Sequence, residues 1–287
     1  MATRRGGVGR AWALLGLLAT PWGAFAEDPA AAPAPEASSQ EQDLAKQVQN
    51  PVAALISVPL QDNLDLGVKP KDRVRNTLNI QPVVPLPLTH RFNLINRVIL
   101  PIVAQPGLSE DSTGTFGLGD TSATFFVVPS KPGAVIWGVG PAFLLPTATD
   151  DALGTGKWSV GPSAVVLVQP SPWSIGVLAN NVFSVFGDDD RATVNQLLLQ
   201  YFVSYNLPKG WYVTSAPILT ANWEGPKGER WTIPFGLGAG KVFSIHKQAL
   251  NGSVSAYYNA VRPDLPGAAD WQLRFQLAFL FPLGKKH

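Results

Sequence analysis

The stretch that decides the fold is WQLRFQLAFLF, residues 271–281, close to the end of the chain. Its odd-numbered positions are all aromatic residues or leucine, whereas its even-numbered positions include Gln272, Arg274, Gln276 and Ala278. Side chains alternate between the two faces of a β-strand, so the stretch predicts a strand with one apolar and one polar face. An apolar outer face and a polar inner face are typical of strands in a transmembrane β-barrel.

Segments of similar length precede this strand along most of the chain. Turn residues separate them, and each has roughly the ten residues that a tilted strand needs to cross a bilayer. The sequence therefore predicts an all-β protein, a transmembrane antiparallel up-and-down β-barrel. We predict about twelve strands, at 58–67, 76–88, 91–104, 120–129, 134–147, 158–169, 173–186, 195–206, 211–223, 231–245, 252–261 and 271–281.

Composition favours lipid rather than water around this barrel. Hydrophobic residues make up 46% of the chain and charged residues 15%, below the roughly 25% charged residues of an ordinary soluble domain. The longest apolar run after the N-terminus, residues 133–148, is interrupted by Gly138, Gly140, Pro141 and Pro146 and does not predict a spanning helix. A closed barrel is the other way to satisfy the backbone in lipid. A soluble sandwich or lipocalin-like barrel also alternates and is the open alternative.

The first 57 residues do not continue the strand pattern. Residues 1–26 have a basic start, a short apolar stretch and a small-x-small ending, which predicts a signal peptide. Residues 27–57 are predicted to be a disordered leader rich in Ala and Pro, followed by short helices at 41–49 and 50–57 near the periplasmic mouth. The barrel is predicted to span 58–287.

Short and long connections alternate between the predicted strands. Outer-membrane barrels have short periplasmic turns and longer extracellular loops, so an even strand number puts both termini in the periplasm. The expected location is the outer membrane of a Gram-negative bacterium, and the expected partners are lipid, lipopolysaccharide and the barrel-assembly machinery. Tryptophans at the strand ends are predicted to form two interfacial aromatic girdles; they are Trp158, Trp173, Trp211, Trp223, Trp231 and Trp271.

Prolines argue against an unbroken sheet, because each one removes a hydrogen-bond donor from the ladder. We expect bulges or displaced strand boundaries where prolines lie inside or near the ends of predicted strands. These are Pro82, Pro85, Pro101, Pro141, Pro146, Pro162, Pro217 and Pro234.

Strand parity also predicts which polar side chains face the lumen. About twelve strands fall between small filled barrels and open porins, so we expect a narrow, partly filled lumen. If the first strand pairs with the last, Asp65 and Arg274 are expected to form an ion pair, or to be hydrated separately in a wet lumen. The lumen candidates are Asp65, Asn79, Gln81, Asn93, Arg97, Gln196, Gln200, Thr220, Asn222, Arg274 and Gln276.

No catalytic residue, metal or cofactor is predicted. A lipid hydrolase would need a histidine beside a serine nucleophile, but His90 and His246 fall in short turns and His287 ends the chain. Three scattered histidines and no cysteine do not favour a metal site. The aspartates at 150–151 and 188–190 are expected to be solvated turn residues, with cation or lipopolysaccharide contact as the alternative. Scattered basic residues do not indicate a nucleic-acid surface.

Four short motifs resemble one known family: IWGVGP at 136–141, LPTATD at 145–150, GxGKWxxGP at 154–162 and WTIP at 231–234. They are similar to the bacterial outer-membrane family named for the meta pathway of phenol degradation, whose members are often labelled transporter or, misleadingly, neuromedin U. The resemblance covers about residues 44–282. It implies a barrel and the uptake of aromatic or other small apolar compounds, with no catalytic residues to transfer.

The leading function hypothesis is therefore passive or selective transport of a small-molecule solute through a porin-like barrel. A structural or surface-interaction barrel with a plugged lumen is the first alternative. An outer-membrane enzyme is the second.

Overall fold

The computed structural model describes residues 35–109 and 111–282. None of the helices in these two ranges is long and apolar enough to cross a membrane. The helices are α1 (Pro35–Val48) and a short 3-10 turn (Asp151–Leu153). The strands are β1 (Leu55–Val68), β2 (Arg73–Ile80), β3 (Val83–Pro87), β4 (Phe92–Gln105), β5 (Thr115–Leu118), β6 (Thr121–Pro129), β7 (Val135–Leu145), β8 (Lys157–Val168), β9 (Trp173–Gly187), β10 (Asn195–Asn206), β11 (Trp211–Ser215), β12 (Ile218–Asn222), β13 (Trp231–Ile245), β14 (Gln248–Val261) and β15 (Trp271–Pro282).

The strands close on themselves as one antiparallel barrel. β1 pairs with β15 from Leu55 opposite Pro282 to Leu66 opposite Trp271, and β9 pairs with β10. β2 and β3, β5 and β6, and β11 and β12 each share one position in the sheet, so the fifteen segments make a barrel of twelve strands. The predicted fold class is confirmed, and so is the predicted pairing of the first strand with the last.

The outer surface of the barrel is apolar. In β15, Trp271, Phe275, Leu277 and Phe281 are 38–47% exposed, whereas Arg274 is only 8% exposed. Water would solvate such a surface poorly, but lipid solvates it well. The same alternation along other strands exposes Val135, Trp137, Val139, Val166, Ile175, Phe183, Val185, Val213, Phe235, Leu237, Val254 and Tyr258.

Half of the eight named prolines lie beside strand ends or at a register shift, as expected from their missing donors. Pro82 lies between β2 and β3, and Pro217 lies between β11 and β12. The register of β13 against β14 shifts at Pro234. The other four lie inside strands: Pro85 in β3, Pro101 in β4, and Pro141 and Pro162 in β7 and β8, where they are directly opposite each other.

The segment before β1 differs from its prediction. α1 already begins at Pro35, so residues 35–40 belong to a helix rather than to a disordered leader. A second helix at 50–57 does not form, because the Asn50 side chain accepts from the Val52 N–H (3.0 Å) in a tight turn and β1 begins at Leu55. The predicted signal peptide, residues 1–26, and residues 27–34 lie outside the described ranges.

The hairpin between β13 and β14 is also tighter than predicted. Ile245 pairs with Gln248, so only His246 and Lys247 form the turn, with φ of 48° and 76°. Two successive residues with positive φ match the twist of a two-residue hairpin. The prediction began β14 four residues too late because neither residue is the Asn or Gly that usually marks such a turn.

A charge placed on the outer face tests its contact with lipid. Leu277 lies near the middle of β15 and is 38% exposed. We expect Leu277→Arg to destabilise the barrel in lipid vesicles by about 2 to 4 kcal/mol, the cost of a guanidinium near the bilayer midplane. Urea titration of folding into vesicles measures this free energy. Asn79→Arg is the control, since Asn79 faces a lumen cavity, and an equal loss in both variants would contradict the assigned face.

Candidate functional site in the barrel lumen

The two ends of the barrel differ in their connections. One, the short-turn end, carries the connections 88–91, 130–134, 169–172, 207–210 and 246–247. The other, the long-loop end, carries 106–114, 146–156, 188–194, 223–230 and 262–270, together with the shorter connection 69–72. Inward side chains between these ends divide the lumen into two chambers.

The chamber at the long-loop end, which we call the vestibule, has a volume of about 640 Å³. The loop 262–270 and the turn Asp151–Leu153 contribute to its lining. On the barrel wall Asp65 receives two hydrogen bonds from Arg75, at 2.9 and 2.7 Å, and one from Gln272, at 2.9 Å. The vestibule is therefore polar and carries a paired charge.

Two ion pairs lie at the long-loop end, and the first of them joins the connection 69–72 to the loop 262–270. Lys69 donates to Asp264 and Arg262 pairs with Asp270. The hydrogen bond and the positive charge of Lys69 lower the pKa of the Asp264 carboxyl, with a smaller effect from Arg262. Because Asp264 is solvent-exposed, this pair adds little to stability.

Arg274 separates the vestibule from the second chamber, since it lines both of them together with Gln61. Its guanidinium donates to Asn63 Oδ1 (3.1 Å), to the Ala216 carbonyl (3.1 Å) and to Gln272 Oε1 (2.9 Å). The carbonyl of Ala216 is available because Pro217 interrupts the sheet between β11 and β12. Arg274 is thus a fixed positive charge at the boundary between the two chambers.

The second chamber, which we call the inner chamber, lies on the short-turn side of Arg274 and has a volume of about 200 Å³. Amides, hydroxyls and aromatic rings line it. Arg97 donates to Gln81 Oε1 (3.0 Å), and the Tyr212 hydroxyl donates to Asn251 Oδ1 (2.8 Å). The Tyr257 ring lies 4.9 Å from the Arg274 guanidinium. The chamber can therefore contact both charged and aromatic groups.

Helix α1 closes the short-turn end of the inner chamber. Leu44 and Ala45 are buried against inward residues of β13 and β15, among them Val242 and Leu280. Lys46 O accepts from Gln169 Nε2 (2.8 Å). α1 therefore sits inside the barrel mouth and is held there by apolar contacts and a few hydrogen bonds.

The turn after α1 packs into a second apolar cluster of the barrel interior. Val52 is 3% exposed and packs among inward residues of the opposite wall, including Phe126, Leu167 and Phe202. The described interior is therefore filled with apolar side chains near the short-turn end and lined with polar ones toward the long-loop end.

Ten of the eleven predicted lumen residues lie on inward strand faces and Gln81 lies between β2 and β3, but the eleven do not form one site. The vestibule is lined by Asp65, Asn79, Thr220 and Arg274, and the inner chamber by Gln81, Arg97, Gln200, Gln276 and Arg274. Gln196 and Asn222 line a separate pocket beside Arg191, and Asn93 lies in neither chamber, next to Ser130. Contact of these residues with a solute stays a prediction.

The predicted ion pair between Asp65 and Arg274 is wrong. β1 and β15 do pair, but Asn63 is the residue opposite Arg274 and Gln272 is the residue opposite Asp65. Asp65 pairs instead with Arg75 of β2, at 2.7 Å. The prediction missed Arg75 because it placed the start of this strand at residue 76, whereas β2 begins at Arg73.

Other lumen residues were not among the candidates. Gln61 and Asn63 were on the correct face of the first predicted strand, and Tyr212 and Tyr257 follow from the parity of β11 and β14. Choosing only charged residues, amides and one threonine left the tyrosines out. Parity combined with aromatic character was the signal that could have found them.

Four of the six predicted girdle tryptophans, Trp158, Trp173, Trp211 and Trp271, are 42–48% exposed at strand ends. Trp223 and Trp231 are half-buried and contact each other edge to face, with ring centres 5.5 Å apart. Trp137 of β7 is 40% exposed near the short-turn end and was not predicted. Their contact with a membrane interface stays a prediction.

Residues considered for chemistry lie apart from the chambers. His90 and His246 are exposed in short turns, and His287 is outside the described ranges. Asp150 accepts from the Ala152 N–H (2.8 Å) and Asp188 from the Asp190 N–H (3.0 Å), as in ordinary turns. Within residues 35–109 and 111–282, no group of three potential ligands is arranged to hold a metal ion.

This geometry defines a class of protein, a closed antiparallel barrel with a two-chambered lumen and an apolar outer surface. The chain belongs to the family described as the putative MetA-pathway of phenol degradation, whose model matches residues 62–281. The resemblance seen in the sequence motifs is thereby confirmed.

Solved structures share the fold at low sequence identity. The chain is similar to an outer membrane channel from Pseudomonas putida F1, with 18% identity over 79% of this chain and 94% of that chain and a TM-score of 0.61. It also matches outer membrane phospholipase A from Escherichia coli (13% identity, 80% and 93% covered, TM-score 0.41) and the CymD monoaromatic hydrocarbon channel (9%, 86% and 94%, 0.45). The latter two likenesses are too weak for a structural comparison. Curated protein sequences contain no significant match.

Proposed function

We propose that the protein is a channel of the Gram-negative outer membrane that passes small molecules, aromatic and apolar ones among them. The observation that carries the proposal is the polar inward face, which forms two chambers that meet at Gln61 and Arg274. The family description points to phenol degradation, and the barrel from Pseudomonas putida is named an outer membrane channel. A non-enzymatic role is part of this proposal.

The proposal includes orientation and partners. Short turns of outer-membrane barrels face the periplasm, so both chain ends and α1 would lie on the periplasmic side and the vestibule would face the cell exterior. Residues 1–26 would direct export, the barrel-assembly machinery would insert the barrel, and lipid and lipopolysaccharide would surround it. The predicted lumen residues would then contact the solute in transit.

A plugged structural barrel is the second candidate, and the position of α1 in the barrel mouth favours it. Liposome swelling separates the two. Vesicles containing the mature chain and vesicles containing a chain without residues 27–53 are compared in solutions of phenols, fatty acids and sugars. We expect solutes to enter at least the vesicles that contain the shortened chain. If neither preparation swells, the channel proposal is refuted.

A further inference from the structure

Two guanidinium groups line the inner chamber without a carboxylate to balance them. Lys69 pairs with Asp264, Arg75 with Asp65 and Arg262 with Asp270. Arg97 and Arg274, which line the inner chamber, belong to none of these pairs. No carboxylate lines the inner chamber, so its wall carries more positive than negative charge.

Arg97 has unused hydrogen-bond donors. A guanidinium carries five N–H groups, and one of those of Arg97 donates to Gln81. Within the described part of the chain, the Oγ of Ser159 is the one fully buried side-chain N or O atom that lacks a hydrogen-bond partner. The nitrogen atoms of Arg97 are not among such fully buried, unpartnered atoms. The N–H groups of Arg97 that do not bond to Gln81 are therefore accessible from the chamber that Arg97 lines.

Both arginines line one chamber of about 200 Å³, so two like charges share a small space. Repulsion between like charges is strong where water is scarce. A single anion between them would remove it, because a carboxylate accepts two hydrogen bonds from a guanidinium in a matching plane. The pair of guanidinium groups is therefore suited to an anionic group.

Aromatic side chains line the same chamber. Tyr212, Tyr257 and Phe202 contribute to its wall, and the Tyr257 ring lies beside the Arg274 guanidinium. Aromatic pairs are attracted edge to face or in an offset stack. With a volume of about 200 Å³, the chamber is smaller than the roughly 300–1,000 Å³ of pockets for drug-sized ligands. One ring with one small substituent matches this space.

We propose that the inner chamber is a binding subsite for small aromatic carboxylates. Arg97 and Arg274 hold the carboxylate, and the ring packs against the tyrosines of the wall. This inference rests on the proposed channel and names a substrate class for it. A neutral phenol has the ring without the charge and gains less from the two arginines.

Binding to the full mature chain in detergent tests the subsite. Isothermal titration compares benzoate with benzyl alcohol, which keeps the ring, and with acetate, which keeps the charge. We expect benzoate to bind more tightly than either. Equal affinities for benzoate and benzyl alcohol, or no benzoate binding, would overturn the proposal.

Variants locate the binding. Gln81→Glu places a carboxylate beside Arg97 with almost unchanged shape and should weaken benzoate binding about 10- to 100-fold, the value of hydrogen bonds to a charged group. Arg97→Gln should weaken benzoate binding similarly, and it replaces Gln81→Glu if that variant folds poorly. Heat-dependent gel mobility shows whether each variant is folded. Lys241→Gln removes an outward cation that lies over the Trp211 ring and should change nothing. Equal affinity in all three variants would refute the assignment.

The subsite and the channel can fail separately. Benzoate binding without any liposome swelling would refute the channel but keep the subsite. Swelling with neutral solutes, without preferred benzoate binding, would refute only the subsite.

Discussion

Leu44→Glu is expected to open the barrel mouth. Leu44 is 5% exposed and packs against Val242 and Leu280 inside the barrel. A carboxylate at this position would be buried without a partner, at a cost of about 2 to 3 kcal/mol. That penalty shifts the equilibrium between docked and undocked α1 about 30- to 150-fold. The barrel itself should be unaffected, since α1 belongs to none of its strand pairs.

Single-channel recording of the mature chain in planar bilayers measures this change as an increase in the open fraction. Gln42→Glu is the matched control, because it adds the same charge to an exposed position of α1. We expect the control to behave like the unmodified protein. Equal open fractions for Leu44→Glu and Gln42→Glu would show that docking of α1 does not close the lumen.

Alternation along single strands predicted most of this fold. The odd residues of β15 face outward as expected, because a period of two is a local property of an extended chain. Breaks at Pro82 and Pro217 were also foreseeable, since the loss of a donor depends on proline alone. The consequence of the break at Pro217 was not foreseeable. The Ala216 carbonyl accepts a hydrogen bond from Arg274, and this contact depends on the position of β15, which is distant in sequence.

The sequence patterns could not predict features that depend on the register between strands or on the docking of α1. Asp65 and Arg274 lie on the same inward face, but their offset of two positions in the β1–β15 ladder leaves Asp65 nearer to Arg75. The composition of residues 35–48 allows a helix or a disordered segment. Only the inward faces of β13 and β15, which receive Leu44, select the helix.

Asp65→Asn is expected to weaken the seam where the barrel closes. The Asp65 carboxylate links three strands, since it accepts from Arg75 of β2 and from Gln272 of β15 while belonging to β1. Asp65 is 7% exposed, and the Arg75 side chain is 27% exposed. Loss of the negative charge leaves Arg75 without its counter-ion, and we expect a loss of about 2 to 4 kcal/mol, below the value for a fully buried pair.

Equilibrium folding into lipid vesicles, followed by tryptophan fluorescence in urea, measures this loss. Asp264→Asn is the matched control, because it removes the carboxylate of the exposed pair with Lys69 at the same end of the barrel, and it should cause no measurable change. The double variant Asp65→Asn, Arg75→Gln should recover part of the loss, since it removes the unpaired cation as well as the anion. If Asp65→Asn were no more destabilising than Asp264→Asn, the carboxylate would not be what holds the seam, and the backbone ladder between β1 and β15 would close the barrel unaided.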